Sequence, residues 1–159
     1  MISQEIQTLL NNNSIELFPL SLEGVEIKIE KANRLYNFAN KNLSGLGSGD
    51  EDIVYNNIYD SIRLCCEAIL LINGYRAKTS GEGHHYIVIN AAAILLNGQL
   101  GNEFKRFQQM RKKRNRIECG DFIGISEVEL RQAHADAKTL LARVKEAQSA
   151  LSGQNKLKI

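Results

Sequence analysis

Proline is the residue that most limits where a helix can run, and this 159-residue chain contains one, Pro19. Its ring removes a backbone donor and clashes with the preceding turn, so no regular helix crosses position 19. Beyond it the backbone is free to stay helical wherever the side chains favour that state. Aromatic residues make up only 6% and tryptophan is absent, so the aromatic and β-branched runs of a sandwich or barrel are missing. The length suits one domain large enough to bury a core without disulfide or metal staples.

Hydrophobic spacing divides the chain further. Residues 1–20 read as an N-terminal extension, with a short helix over 2–10 that stops at Asn11-Asn12-Asn13. A long helix is expected from Ser21, its cap, to Leu43, with Val25, Ile29, Ala32, Leu35 or Tyr36, and Ala39 on one face. The glycine- and serine-rich run Ser44 to Asp50 is a connector. A second helix from Asp52 to Asn73 carries the stripe Tyr55, Tyr59 with Ile58, Ile62, Cys66 with Cys65, and Ile69, and Gly74 stops it. A third runs from His84 or His85 to Leu96, although Ile87-Val88-Ile89 would also suit a strand. A fourth spans Gly101 to Cys119 and ends at Gly120. A fifth starts at the capping box Ser126-Glu127-Val128-Glu129 and keeps Ala133, Ala137, Leu140, Leu141 and Val144 in register to about Leu151. Residues 152–159 are expected to fray. The fold expected is all-α: an up-and-down bundle of four to five helices over 21–151, with no sheet and the fourth helix packed centrally.

The net charge is only +2, so the molecule as a whole is not a polycation. The charge is nevertheless concentrated. Lys105, Arg106, Arg111, Lys112, Lys113, Arg114 and Arg116 follow one another with no acidic residue between them, a density suited to phosphates or to a solvated helix face. The three cysteines form neither a disulfide framework nor a zinc pattern; adjacent Cys65 and Cys66 read as small core residues. No stretch has the roughly 20 apolar residues of a membrane span, and the opening Met-Ile-Ser-Gln-Glu lacks a signal-peptide pattern. A cytoplasmic protein without membrane association, metal or other cofactor is therefore expected.

The fourth helix departs from ordinary patterning at one position. At 100° per residue, Phe104, Phe107, Met110 and Ile117 share one side, and Arg114 falls in the middle of that apolar stripe, with Arg111 and Glu118 beside it. A guanidinium there is costly unless it is paired or faces a groove. Glu118, one turn on, is a ready partner, which makes a purely structural pair one reading. A guanidinium held rigid for phosphate is the other. His84 and His85 stand where a helix begins, the end that favours anions, and Arg76 and Lys78 lie on the loop before them. Asp60, Arg63 and Glu67 have the spacing of a surface ion-pair network.

Taken in order, Tyr59-Asp60-Ser61-Ile62-Arg63, Ile72-Asn73-Gly74-Tyr75-Arg76, Gly83-His84-His85 and Lys113-Arg114-Asn115-Arg116-Ile117-Glu118 resemble the HEPN superfamily (higher eukaryote and prokaryote nucleotide-binding) in a stand-alone prokaryotic form, over about Ser21 to Leu151. The resemblance implies a helical bundle that often dimerises. Many members are metal-independent RNases of toxin–antitoxin or defence systems, and some pair with a small nucleotidyltransferase. Their motif is an arginine, usually followed by a polar residue, then a histidine four to six residues beyond that polar residue. Arg114 and Asn115 match its first half; Cys119, Gly120 and Asp121 occupy the histidine's places.

Three functions compete on this reading. In an RNase, Arg114 and Asn115 would hold the phosphate while Glu118, His84 or His85 supplied acid–base chemistry, with Arg111 and Arg76 among the binding residues. A non-catalytic RNA- or nucleotide-binding module, or the partner of a nucleotidyltransferase-type antitoxin, would keep the arginine without the histidine. In a dimerisation module the Arg114–Glu118 pair would only set register. A homodimer is expected, with its functional groove at the two-fold axis and Arg111, Arg114 and Glu118 of one chain near the same residues of its mate.

Overall fold

Six helices form close to where periodicity and caps place them, in a computed structural model that describes all residues except 46, 48, 79–82, 121–123 and 157–159. Leu46 and Ser48 of the connector, Gly81 and Glu82 before the histidines, Asp121 after the fourth predicted helix and the end of the tail therefore lie outside the described residues. The helices are α1 (Gln4–Asn11), α2 (Leu22–Asn42), α3 (Glu51–Ile72), α4 (His84–Leu95), α5 (Gly101–Glu118) and α6 (Glu127–Lys156). Among the described residues, two short strands, β1 (Ile15–Leu17) and β2 (Tyr75–Ala77), and a single 3-10 turn at Leu43–Gly45 complete the elements.

The caps act as their residue types dictate. Ser21 Oγ accepts from the Gly24 amide at 3.0 Å and Ser126 Oγ from the Glu129 amide at 3.1 Å, each satisfying a donor that the first turn leaves unpaired. Gly74, with φ 80°, turns the chain out of α3, a conformation that costs a residue with a Cβ. Ile87-Val88-Ile89 is helical, inside α4. Helix α6 continues to Lys156, beyond the end expected from its apolar stripe.

The expected absence of a sheet does not hold. β1 and β2 pair antiparallel with Ile15 opposite Ala77, Glu16 opposite Arg76 and Leu17 opposite Tyr75. Burial alternates along β2, where Tyr75 and Ala77 face inward, whereas in β1 Ile15 is buried and Leu17 is exposed; Glu16 and Arg76 form a cross-strand ion pair at 2.5 Å. A three-residue alternation is too short to stand out in sequence. The pairing exists because Gly74 brings β2 back alongside the segment that Pro19 keeps out of α2. Ile6 of α1 and Ile15 of β1 are buried in the main core, so residues 1–20 belong to the same packing unit as the bundle.

The central element is α3, not the basic helix α5. Twelve α3 residues are buried, on nearly all sides, and α2, α4, α5 and α6 all pack on it. Helix α5 lies against α4 and α3 and buries only Phe104, Phe107 and Met110; Ile117 is half-buried. The charge density of α5 explains this: too many of its side chains need water or a carboxylate for it to be enclosed.

Candidate functional site

Arg114 is set where the α5 stripe faces α3. Its side chain is 15% exposed, with Nη2 3.1 Å from Glu118 Oε1 and 3.3 Å from Asp60 Oδ1. The guanidinium carbon lies 5.1 Å from the centre of the Tyr59 ring, within the range of a cation–π contact. The intrahelical pair anticipated from spacing is present. The second carboxylate comes from α3 and could not be seen in the α5 sequence.

Asp60 ties Arg114 to a longer series of charges. Arg63 Nε is 3.7 Å from Asp60 Oδ1, Arg63 also pairs with Glu67, and Glu67 pairs with Lys28 of α2. An alternating chain, Glu118–Arg114–Asp60–Arg63–Glu67–Lys28, thus crosses α5, α3 and α2. The expectation that Asp60, Arg63 and Glu67 form only a surface network is corrected here: their side chains are 28%, 22% and 14% exposed, and their partners lie on two other helices. Local ion-pair spacing reports only neighbours on one helix.

His85, at the start of α4, reaches the same place. Its ring centre is 5.9 Å from that of Tyr59. Burial lowers its pKa below the usual imidazole value, and the charges of Arg63, Arg114 and His84 lower it further against the opposing pull of Asp60. The ring is therefore neutral near pH 7. Tyr59 is fully buried and its pKa is raised, chiefly by desolvation. Three donors in this cluster, the Tyr59 hydroxyl, Arg63 Nε and Arg114 Nε, are buried without a hydrogen-bond acceptor among the described residues.

The other anticipated residues divide. Arg111 lies at the edge of the cluster, its Nε donating to Gln108 Oε1 at 2.9 Å and its guanidinium 5.5 Å from the Tyr86 ring centre. The His84 ring Nδ1 is 3.0 Å from the Lys78 carbonyl, which fixes the ring 5.9 Å from His85. Asn115 is exposed, as is Cys119 at the end of α5. Arg76 is engaged elsewhere, by Glu16 and by the Phe18 ring 4.5 Å away. The basic run is also partly neutralised: Arg106 holds the buried Asp136 with two bonds, at 2.6 and 2.9 Å, and Lys113 holds Glu129 at 2.7 Å.

Sequence reasoning missed Tyr59, Asp60 and Arg63 as members of this site. Tyr59 reads from the sequence as a core residue, and Asp60 and Arg63 read as members of an ion-pair network on one helix. Arg114 is neutralised within one chain by Asp60 and Glu118, so no two-fold interface is required to pair it. No protein-family model matches this chain, and no curated protein shows significant sequence similarity to it.

Proposed function

We propose that this chain is a HEPN-like bundle that holds RNA or a nucleotide by a phosphate at the Tyr59–Arg63–Arg114 cluster. The observation that carries this reading is the surplus of donors: the Tyr59 hydroxyl, Arg63 Nε and Arg114 Nε are buried together with no hydrogen-bond acceptor among the described residues. Folded proteins rarely leave such groups unpaired, and phosphate oxygens are well matched to planar guanidinium forks. Small side-chain shifts would open the donors to a ligand on the His85 side.

Metal-independent cleavage of RNA needs a base for the 2′-hydroxyl, charge stabilisation at phosphorus and an acid for the leaving oxygen. Arg114 would stabilise the charge. His85 would take the 2′-hydroxyl proton as the 2′-oxygen displaces the 5′-oxygen at phosphorus, a solvent water would protonate the leaving 5′-oxygen, and Asn115 would contact the chain beyond the reacting phosphate. The toxin–antitoxin or defence setting, the homodimer and the nucleotidyltransferase partner are carried by the resemblance alone.

A non-catalytic module is the second reading. It is favoured by the two carboxylates already on Arg114, which compete with phosphate, and by Cys119 where the motif has histidine. Fluorescence anisotropy with an end-labelled single-stranded RNA tests the site, and the same RNA incubated with a chelator tests cleavage. Arg114→Ala should weaken binding about tenfold or more, the loss expected for a charge-assisted contact worth ~1.5–3 kcal/mol. Arg114→Lys should not restore it, because the fork is lost. Unchanged affinity in a folded Arg114→Ala protein would remove the site from consideration.

A further inference from the structure

On the far side of Arg63 from Arg114, α2, α3, β2 and the start of α4 enclose an open cleft of about 620 Å³. A cavity of this size holds a whole small molecule. Its apolar lining comes from Leu64, Leu70 and Leu71 of α3, Val88 of α4, Phe18 and Ile27. Ile27 is 55% exposed, which leaves a large apolar side chain facing water at the cleft.

The charges around this lining are one-sided. Lys28, Lys31, Arg63 and Arg76 line the cleft against a single carboxylate, Glu67, among the described residues. Glu67 is already shared by Lys28 and Arg63, and Arg76 is held by Glu16. Lys31, one turn after Ile27, has no ion pair among the described residues. Ser21, also in the lining, has its oxygen committed to the Gly24 amide.

We propose that the cleft binds a small amphiphilic anion, with an aliphatic or aromatic body against Ile27, Phe18 and Leu71 and a phosphate or carboxylate head at Lys31 and Lys28. Two matched features carry this assignment: the solvent-facing apolar side chains Ile27, Phe18 and Leu71, which a hydrocarbon body removes from water, and a cationic rim whose Lys31 has no ion pair among the described residues and which an anion neutralises. A nucleotide base fits less well, because the lining offers few free partners for its ring donors and acceptors. The head group is assigned to Lys28 and Lys31 of α2 and not to α5, and Arg63 is the one residue that both lines this cleft and belongs to the Tyr59–Arg63–Arg114 cluster.

Isothermal titration of the full chain with decyl phosphate, below its micelle concentration, tests this. One molecule should bind per chain, and decyltrimethylammonium, with the same tail and opposite charge, should bind at least about tenfold more weakly. Lys31→Glu should weaken decyl phosphate binding at least about fivefold, since it replaces an attraction with a repulsion. Ile27→Asp should weaken it as well. Both positions are exposed, so both variants should melt like the parent. Equal binding of the cationic amphiphile, AMP binding as tightly as decyl phosphate, or full affinity in both variants would each overturn the assignment. Loss of RNA binding in Arg114→Ala with decyl phosphate binding intact would keep the two sites separate.

Discussion

The Arg114 guanidinium meets the Asp60 carboxylate at 3.3 Å, joining α5 to α3. The partner available from α5 itself, Glu118, is equally close but 52% exposed. The interhelix pair is therefore expected to contribute more to stability than the intrahelical one, because water screens it less. In urea denaturation, a double-mutant cycle of Arg114→Ala with Asp60→Asn should give a coupling of about 1–2 kcal/mol. The cycle with Glu118→Ala should give about 0.5 kcal/mol or less. Equal couplings would show that the half-buried geometry gives Asp60 no advantage.

Tyr59→Phe separates packing from binding. It removes a buried hydroxyl that has no acceptor among the described residues and keeps the ring beneath Arg114 and beside His85. The folded protein should be unchanged or stabilised by up to about 1 kcal/mol. If the hydroxyl meets phosphate, RNA affinity should fall in the same variant. A loss of stability together with unchanged affinity would assign the hydroxyl a structural partner.

Stability should fall as the solution is acidified through the imidazole range. His85 has a folded pKa below its unfolded value, and so has His134, whose ring stacks on Tyr36 at 4.5 Å. The unfolded chain then binds more protons in the window below about 6.5, so the stabilising contribution is complete above that pH and is lost as pH drops towards the folded values. Urea midpoints at pH 7.5 and 5.5 should show this slope, and His85→Gln and His134→Gln should each flatten it. A slope indifferent to both changes would mean that neither ring is held neutral.

Arg106→Ala should be among the more damaging changes on α5. It leaves the buried Asp136 carboxylate with Gln132 as its remaining side-chain partner. The loss should be about 2–3 kcal/mol, below that of a fully enclosed pair because Arg106 is partly exposed. Thermal melts would read this as a drop of several degrees. Lys105→Ala, at an exposed position on the same helix, should melt within about one degree of the parent.

Cys119→His should raise RNase activity in the presence of a chelator, if Arg114 belongs to a cleavage site that lacks only its imidazole. An imidazole titrates near neutral pH, whereas an unperturbed thiol does so higher. Cys119 is exposed just past the end of α5, so the change should fold. No gain over the parent, combined with loss of any basal cleavage in His85→Gln, would assign the proton transfer to His85.

The helices are legible along the chain because their signals are local. Ser21 and Ser126 cap, Gly74 and Gly120 terminate, and the stripes of α2, α3 and α6 repeat at the period that buries one face. Arg114 stands out in the same way, since a guanidinium among Phe107, Met110 and Ile117 breaks a local rule. What lies across the molecule was decided only by tertiary structure. The pairing of Glu16 with Arg76 depends on the path between two segments 60 residues apart, and neither three-residue strand has enough pattern to announce itself. The central place of α3 came from contacts on all its sides, which a helical wheel with one apolar face understates. Asp60, Tyr59 and His85 meet Arg114 because α3, α4 and α5 converge, and side-chain chemistry between helices leaves no fixed spacing along a chain.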